Sequence, residues 1–299
     1  MESNVAIIIL NYNDYIMTKE NVENLIKLNI KCPIVIVDNN SPNNSFERLS
    51  KKYANFNNIY VIKNLENKGY ASGNNFGVKF ILKKLNFIKY ICIMNPDAKI
   101  SYKEIFPNLI NKIENRSDIA LIGSMMIFNN MLDSENTCWK LPDKKSIVIG
   151  YLNSLSRLRS SNRKEDLIID QTDSSLAKVD VVPGSFFIIK KEALEKIGLF
   201  DENTFLYNEE NILSIKLRNR GYIECLSIND YYFHNHKKSK NKRKLQDKIN
   251  VNNMNFQSRK YLCKTYYDKK LVLLLYIVYF LNVLDISVFH FMSKFKKSN

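Results

Sequence analysis

The chain has 299 residues, 45% of them hydrophobic and 12% aromatic, which suffices for one large domain, alone or with an appendage, and excludes global disorder. Lys and Arg number 45 against 30 Asp and Glu, so the net charge of +15 indicates an anionic partner: nucleic acid, a membrane surface or a phosphorylated substrate. The five scattered cysteines are never spaced as C-x-x-C, which argues against a zinc site or a disulfide framework and is typical of a reducing cytosol.

The first third of the chain alternates between two kinds of segment. Short β-branched apolar runs predict strands at 5–10, 33–37, 58–62 and 90–94. The segments between them have the length and periodicity of helices, at 18–28, 45–53 and 71–85. Such alternation predicts an α/β fold with a mostly parallel sheet and helices on both faces. Because no basic region precedes the first apolar run, we expect a strand there rather than a signal peptide.

The pattern weakens in the middle of the chain and then returns. A predicted helix at 102–116 and strand at 119–127 precede the segment 131–178, where charges, Ser and Asn dominate. We expect this segment to be a mobile excursion that borders the site. After it come a buried run at 179–189, helices at 191–197 and 209–220, and short strands near 222–226 and 231–234.

The C-terminal part differs in character. Residues 237–248 carry seven Lys or Arg against one Asp, and 271–292 is a mostly apolar stretch flanked by lysines. Its length permits a transmembrane helix, but a mid-membrane Asp such as Asp285 costs about 2.5–3.5 kcal/mol, and Asn282 and His290 also count against it. We expect a helix or helical hairpin in the cytosolic leaflet, with lysines on lipid phosphates; a helix packed on the main domain is the alternative. Either explains the net charge better than nucleic acid does.

Polar clusters follow the first two predicted strands. Asn11 and Asn13 come after the first strand, and Asp38 follows the second. Ligands of open α/β sheets bind at the carboxyl ends of strands, where an acid after the second strand can bind ribose hydroxyls or a base edge. The same Asp-Asn-Asn-Ser segment is also a good turn and helix-cap sequence, so that alternative stays open.

The third and fourth predicted strands end in two further clusters. Residues 67–77 hold three glycines, which let backbone amides approach a phosphate or sugar, although they match neither G-x-G-x-x-G nor a Walker loop. Asn95-Pro96-Asp97 places a carboxylate after the fourth strand. One carboxylate is too little for a protein-only metal cage, but it suits Mg²⁺ or Mn²⁺ shared with phosphates and waters. Plain turn chemistry is the alternative.

The ordered set of these segments resembles family 2 glycosyltransferases, most closely the bacterial rhamnosyltransferase-like subgroup. The first four motifs are VAIIILNYN at 5–13, VIVDNNS at 35–41, NKGYASGNNFG at 67–77 and MNPD at 94–97. The resemblance continues through PGSFF at 183–187, GLFDE at 198–202, FLYNEE at 205–210 and LRNRGY at 217–222. It covers roughly residues 4 to 236, and each motif is weak alone while the ordered set is strong.

The resemblance implies a GT-A fold, at 1–240, and an inverting, single-displacement sugar transfer from a nucleotide-sugar donor. The basic run and the apolar stretch beyond it predict a C-terminal helical region at 241–299 that associates with the membrane. Asp97 matches the family's metal-binding Asp, and His234 falls where many relatives place a His near the metal and diphosphate, with His236 less favoured. Solvated histidines before a basic run are the alternative. The donor-binding residues implied are Asn11, Asn13, Asp38, Asn67, Gly69, Tyr70, Gly73, Asn74 and Asn95.

The main departure from the family pattern is at the catalytic base. Relatives commonly carry Glu-Asp after the Phe-Leu-Tyr segment, with the Asp as base, whereas this chain has Glu209-Glu210. We expect Glu210 to be the base with one extra methylene, and Glu209 to be structural or acceptor-binding. Acids that merely favour a helix N-terminus are the alternative. No Gln-x-x-Arg-Trp motif follows, which favours one sugar per event over a processive polymerase.

These expectations combine into one function. The chain would move a sugar from a UDP- or dTDP-linked donor to a lipid-linked saccharide acceptor in bacterial surface polysaccharide synthesis, in the cytoplasm at the inner face of the membrane. A non-catalytic relative that binds a nucleotide sugar or a partner is the alternative, motivated by the Glu-for-Asp change. A nucleic-acid binder is disfavoured, because the basic run lacks interleaved aromatic residues.

Overall fold

The computed structural model of the protein describes residues 4–152, 167–234 and 244–295. Its N-terminal strands are β1 (Val5–Asn11), β2 (Ile34–Asp38), β3 (Ile59–Lys63) and β4 (Tyr90–Met94). The helices that connect them are α1 (Tyr15–Lys27), α2 (Ser45–Tyr53) and α3 (Tyr70–Lys84). These strands are all parallel in the order β3-β2-β1-β4, which confirms the strand–helix alternation expected for this part of the chain.

The central part of the chain completes the sheet. Its strands are β5 (Ala98–Lys99), β6 (Ile119–Phe128), β7 (Met131–Leu132), β8 (Ile168–Ile169), β9 (Leu176–Val179), β10 (Phe186–Lys190) and β11 (Ile223–His234). Its helices are α4 (Ile105–Glu114), α5 (Ser134–Thr137), α6 (Ser146–Ile149), α7 (Lys191–Lys196) and α8 (Glu209–Arg218). The order continues β4-β10-β6-β11-β9-β8, with β10 antiparallel to both neighbours and β6 parallel to β11. The α/β class is confirmed, and the sheet as a whole is mixed.

The sheet brings the carboxyl ends of six strands to one edge. Because β4 and β6 flank the reversed strand β10, they point the same way, and β11 follows β6. Alternate side chains of β1 pack on opposite faces of the sheet. Ile7 and Ile9 belong to one hydrophobic layer with Val22, while Ile8 belongs to the other layer with Val78. A sheet buried on both faces gives its loops a rigid base.

Strand β11 replaces the two short strands expected near its position. Its pairing with β6 shifts register between Ser227 and Tyr231. The buried Asp230 in this irregularity accepts hydrogen bonds from the hydroxyls of Ser227, at 2.6 Å, and Tyr102, at 2.9 Å. These bonds satisfy the carboxylate where the ladder is interrupted, and the strand then continues to His234.

The segment 131–178 is partly ordered into short elements. Residues 131–152 contain β7, α5 and α6, and Trp139 forms an antiparallel bridge with Val181. Residues 153–166 lie outside the described part of the chain, so the expectation of a mobile excursion stays a prediction there.

The C-terminal residues form two long helices, α9 (Leu245–Tyr266) and α10 (Leu271–Phe295). One face of α10 joins a third hydrophobic cluster with α6, α8 and α9, through Leu275, Ile147, Ile212 and Phe256. Asn282 is fully buried on that face and donates to the backbone carbonyl of Tyr151 at 2.8 Å. Packing on the main domain, the alternative weighed for this segment, therefore occurs for one face of the helix.

The opposite face of α10 is apolar and exposed. Its large exposed side chains include Leu273, Ile277, Phe280, Leu284 and Val288, which recur at helical spacing. By length and composition, the stretch Leu271–His290 could cross a membrane. We call this exposed apolar row of α10 the outer face.

Candidate active site

A cavity of about 550 Å³ opens at the carboxyl edge of the sheet. Its walls come from the start of α3, the end of β4, the loop before β10, the start of α8, the end of β11, and α9. Of the residues expected in the site, this cavity brings together Tyr70, Asn95, Glu209, Glu210 and His234.

Asp97 and His234 form a close pair beside the cavity. Antiparallel pairing of β5 with β11 sets Ala98 opposite His234, so the ring comes next to the preceding Asp97. The Asp97 Oδ1 atom lies 3.2 Å from His234 Nε2, with the ring buried and the carboxylate 19% exposed. His236 lies outside the described residues.

This pair fits a shared divalent cation. Asp97 Oδ1 and His234 Nε2 are oxygen and nitrogen donors of the kinds that bind Mg²⁺ or Mn²⁺, and at 3.2 Å from each other they are close enough to hold one ion together. No group of three or more His, Cys, Asp or Glu side chains that could hold a metal occurs in the described residues. The remaining coordination sites would therefore have to come from substrate phosphates and water.

Two residues with left-handed backbone conformations precede Glu209 and Glu210 and set the direction in which α8 begins. Tyr207 and Asn208 adopt positive φ angles of 77° and 66°, so the chain turns sharply just before α8 begins at Glu209. Left-handed conformations of non-glycine residues cost energy and cluster at functional sites. This turn places Glu209 and Glu210 at the helix N-terminus, as the helix-start alternative expected, and also in the cavity wall.

Gly184 links Glu210 to Tyr70. Its backbone N–H donates to Glu210 Oε1 at 3.2 Å, and its carbonyl accepts from the Tyr70 hydroxyl at 2.6 Å. A Cβ added at Gly184 would lie 2.9 Å from Glu210 Oε1 and 3.0 Å from the Tyr70 hydroxyl oxygen. Only glycine leaves room for both contacts.

The environment favours protonation of both glutamates. Burial raises the pKa of Glu210, and burial together with the charge of Glu210 raises the pKa of Glu209. Within the described residues, Glu209 Oε1 is buried without a hydrogen-bond partner. A carboxylate with a raised pKa that faces a cavity is suited to accept and release protons near neutral pH.

The expected nucleotide-binding residues of β1 and β2 form a separate buried network. Asn11 lies opposite Asp38 across the two strands and donates to its Oδ2 at 2.7 Å, and the Ser41 N–H donates to Oδ1 at 2.9 Å. Asp38 is fully buried, whereas Asn13 is exposed and its N–H donates to Ser41 Oγ. In this arrangement Asp38 stabilises the carboxyl ends of β1 and β2, and Asn13 is the residue of this network that is exposed to a ligand.

The glycines of the 67–77 segment lie against protein atoms. Gly69 has a φ of 102°, and a Cβ there would lie 2.0 Å from the backbone oxygen of Phe205. A Cβ at Gly73 would lie 2.5 Å from Leu10. The close approach that these glycines permit is therefore made by the chain itself, and their contact with a phosphate or sugar stays a prediction.

Asn67 and Asn74 stabilise the same segment. The side-chain oxygen of Asn67 accepts from the Gly69 N–H and from Asn39 Nδ2, each at 2.9 Å. Asn74 is buried, and its side-chain amide donates to the Tyr70 carbonyl at 3.0 Å. Neither side chain lines the cavity, so both stabilise the 67–77 segment without facing the cavity themselves.

Several cavity residues were not anticipated from the sequence. They are Asp133, Asn136, Trp139, Asn211, Asn255 and Arg259. The first three lie in a segment without periodicity, where the single tryptophan of the chain was the one feature that could have indicated a binding site. Arg259 lies in the segment QSRKY at 257–261, which does not match the Gln-x-x-Arg-Trp motif and carries no other signal of a site.

Comparisons with known proteins show what the chain is similar to. The glycosyl transferase family 2 model matches residues 6–198. Among curated proteins, the low-salt glycan biosynthesis hexosyltransferase Agl10 of Haloferax volcanii is 24% identical over 70% of this chain and 60% of its own length. The dolichol-phosphate mannosyltransferase of Pyrococcus furiosus is 28% identical over 65% of this chain and 48% of its own length. The chain thus spans about half to three fifths of these relatives.

Solved structures share the fold. GalNAc-T7 with UDP, GalNAc and Mn²⁺ aligns over 78% of this chain and 44% of its own, with a TM-score of 0.59 and 14% identity. The mannosyltransferase PcManGT from Pyrobaculum calidifontis, in complex with GDP-Man and Mn²⁺, aligns over 93% and 69%, with a TM-score of 0.54 and 14% identity. S. aureus TarS 1–349 with UDP-GlcNAc aligns over 89% and 68%, with a TM-score of 0.51 and 15% identity. The mixed sheet with its flanking helices is that of GT-A proteins, and on the family match the chain belongs to glycosyl transferase family 2.

Proposed function

We propose that the protein is an inverting, non-processive glycosyltransferase that moves one sugar, a rhamnose or another hexose, from a UDP- or dTDP-linked donor to a hydroxyl of a lipid-linked saccharide. The observation that carries this proposal is the meeting of Glu210 and His234 in one cavity, with Asp97 3.2 Å from His234. A candidate base and a candidate cation site thus lie at one sheet edge, as a displacement at an anomeric carbon requires.

The residues divide the reaction between two sides of the cavity. Asp97 and His234 would hold Mg²⁺ or Mn²⁺, and the bound ion would supply positive charge that stabilises the diphosphate leaving group. Glu210 takes the proton of the acceptor hydroxyl as that oxygen bonds to the anomeric carbon. The bond from this carbon to the diphosphate oxygen breaks on the opposite face, so the configuration inverts. The products are the glycosylated acceptor, the nucleoside diphosphate and a proton on Glu210.

The wall supplied by α9 supports a lipid-linked acceptor. Asn255 and Arg259 of this helix line the cavity. The Phe256 ring meets Tyr276 of α10 edge-on and Tyr279 at a tilt, with ring centroids 5.0 and 4.6 Å apart. The outer face of α10 is apolar, and the exposed Lys264, Lys269 and Lys270 lie near the turn between the helices. An apolar helix face flanked by lysines suits an anionic membrane surface.

The proposed place of the reaction follows from this hairpin. With one face of α10 packed on the domain, the helix would lie in the cytosolic leaflet of the inner face of the cell membrane rather than cross it. The pathway we propose is bacterial surface polysaccharide synthesis, capsule or O-antigen, on the strength of the motif resemblance. The relatives named for glycan biosynthesis and for dolichol phosphate mannosylation are consistent with such acceptors.

Donor hydrolysis and donor binding test the proposal. Purified protein is mixed with a panel of UDP-, dTDP- and GDP-sugars, with Mn²⁺ or Mg²⁺ and then with EDTA. We expect one donor to bind and to hydrolyse slowly in the presence of the ion, Asp97→Asn to weaken donor binding, and the exposed control Glu195→Gln to change nothing. A folded protein that binds no nucleotide sugar would refute the proposal.

The alternative is a non-catalytic relative that binds a nucleotide sugar as an interaction subunit. The Glu-for-Asp change at 210 motivates it. Metal-dependent donor binding without any hydrolysis or transfer, unaltered in Glu210→Gln, would favour this alternative over the enzyme.

A further inference from the structure

Trp139 forms a fixed aromatic wall of the cavity. Its backbone pairs with Val181, with N–H to carbonyl distances of 3.2 Å and 3.1 Å in the two directions. Its indole N–H donates to Asn211 Oδ1 at 2.9 Å, and the Asn211 amide donates to Asn208 Oδ1 at 3.0 Å. The ring is therefore oriented before any ligand arrives, which lowers the entropic cost of binding against it.

The ring is tied to the helix that carries the candidate base. Asn211 directly follows Glu210 in the first turn of α8, so its bond to Trp139 fixes the ring relative to the glutamate. The ring is partly exposed, and it lines the cavity together with Glu209 and Glu210. The buried network of Asn11 and Asp38 lies at the other strand ends and contributes nothing to this cavity lining.

The surrounding groups match the chemistry of a sugar ring. Asp133, Asn136 and Asn255 line the cavity with carboxylate and amide groups, beside the flat apolar face of the indole. A pyranose has the complementary surface, with C–H groups on one face and hydroxyls around its rim. Pockets of this kind combine an aromatic face with a few directed polar groups.

We propose that Trp139 is the platform on which the acceptor's terminal sugar stacks, with its reacting hydroxyl directed at Glu210. This inference rests on the proposed function. It adds Trp139 as a residue that determines acceptor specificity, and it names a saccharide, rather than a lipid phosphate, as the part of the acceptor that binds to the Trp139 ring. The donor's sugar and nucleobase are not the occupants, because the wall lies on the side of the base that deprotonates the acceptor.

The single tryptophan makes the inference directly measurable. Since the chain contains one Trp, all indole fluorescence comes from this ring. The full-length protein is titrated with a panel of octyl glycosides and, separately, with UDP- and dTDP-sugars in Mn²⁺. We expect a saturable shift of the emission with those octyl glycosides that are glycosylated, and none with the donors alone. No shift with any octyl glycoside, or a shift with donors only, would overturn the inference.

Two variants separate stacking from a structural role. Trp139→Ala should raise the acceptor KM about tenfold or more and Trp139→Phe about threefold, with the donor Kd of both unchanged. Thermal unfolding of both variants checks that they fold. Unchanged acceptor KM in Trp139→Ala, with donor hydrolysis intact, would refute the platform alone, whereas absent donor hydrolysis in the unaltered protein would refute the proposed function.

Discussion

Glu210 and Tyr70 are held by the two backbone polar groups of one residue, Gly184, whose N–H donates to the glutamate and whose carbonyl accepts from the tyrosine hydroxyl. This arrangement ties the start of α8 to the start of α3, which are far apart in the chain. It also makes the position of the candidate base depend on the absence of a side chain at residue 184.

Replacing Gly184 by Ala should therefore displace the base. The added Cβ would lie about 3 Å from both Glu210 Oε1 and the Tyr70 hydroxyl, so both must shift. We expect kcat to fall about tenfold or more with little change in donor Kd, measured by transfer kinetics and donor titration. Gly198→Ala is the control, because its φ of 71° strains the backbone but nothing lies within 4 Å of its Cβ. Equal kcat losses in both variants would contradict the prediction.

The pH dependence of transfer should report the two glutamates. Burial raises the pKa of Glu210, and a base must be ionised to act, so we expect the rate to rise with pH through this raised value. Burial and the charge of Glu210 raise the pKa of Glu209 to about 8, so Glu209 is still protonated while Glu210 ionises, and Glu209→Gln should leave the acidic limb of the kcat profile where it is. A limb that moves to lower pH in Glu209→Gln would show that Glu209 is charged in that range and would contradict this order of ionisation.

The identity of the base predicts a graded series at position 210. Glu210→Gln should lower kcat by a factor of about 10² to 10⁴, the usual contribution of a general base. Glu210→Asp keeps a carboxylate but shortens the arm, so we expect an intermediate loss. A control is Glu202→Gln, whose carboxylate accepts from Asn75 and Lys79 and lies outside the cavity lining. Full activity of Glu210→Gln would exclude this residue as the base.

Glu224 should make stability depend on pH. Burial raises its pKa to about 8, while its Oε2 accepts from the Val182 N–H at 3.0 Å. The folded state keeps a proton that the unfolded state releases above its ordinary pKa of about 4.3, so stability falls as pH rises from there to about 8. The slope is at most about 1.4 kcal/mol per pH unit.

The variant Glu224→Gln tests this pH dependence. It keeps the acceptor for Val182 and removes the titration, so its melting temperature should fall less between pH 5 and pH 8 than that of the unaltered protein. The exposed Glu192→Gln is the control, and it should retain the original pH dependence. Parallel curves for the unaltered protein and Glu224→Gln would contradict the assignment.

The outer face of α10 should bind anionic vesicles. Ile277→Glu with Leu284→Glu places charges on two exposed apolar positions, so cosedimentation with phosphatidylglycerol vesicles should fall about tenfold or more while the melting temperature is kept. Leu65→Glu with Phe87→Glu changes two exposed apolar residues of the main domain and should leave vesicle binding intact. Equal binding by both pairs would exclude the outer face as the membrane contact.

The parallel half of the sheet was predictable because local patterns determine it. Short β-branched runs and helical segments of ordinary length gave β1 to β4 and α1 to α3 within a few residues. The order of β10, β6 and β11 was not readable, because antiparallel insertion depends on contacts between distant segments. The break in β11 likewise depends on Asp230 and Tyr102, which are far apart in sequence.

The site was predictable where it followed strand ends and unpredictable where it did not. Glu210, His234 and Asn95 all line the cavity, since each lies at the end or start of a regular element. Trp139 lies in a segment without periodicity, where only the fold reveals its neighbours. Asp38 differs in another way, because only the packing of β1 against β2 shows that its carboxylate is fully buried.

Helix α9 lines the cavity with Asn255 and Arg259 and packs Phe256 against α10, so under the proposed function the catalytic centre and the membrane contact share one rigid element. A catalytic centre whose wall is also part of the membrane-facing hairpin stands at a constant height above the bilayer. Such a centre selects acceptors by length, because an acceptor reacts only when the distance from its lipid to its terminal sugar equals that height. Elongation by one residue would carry the new terminus out of reach, and addition would stop after a single sugar.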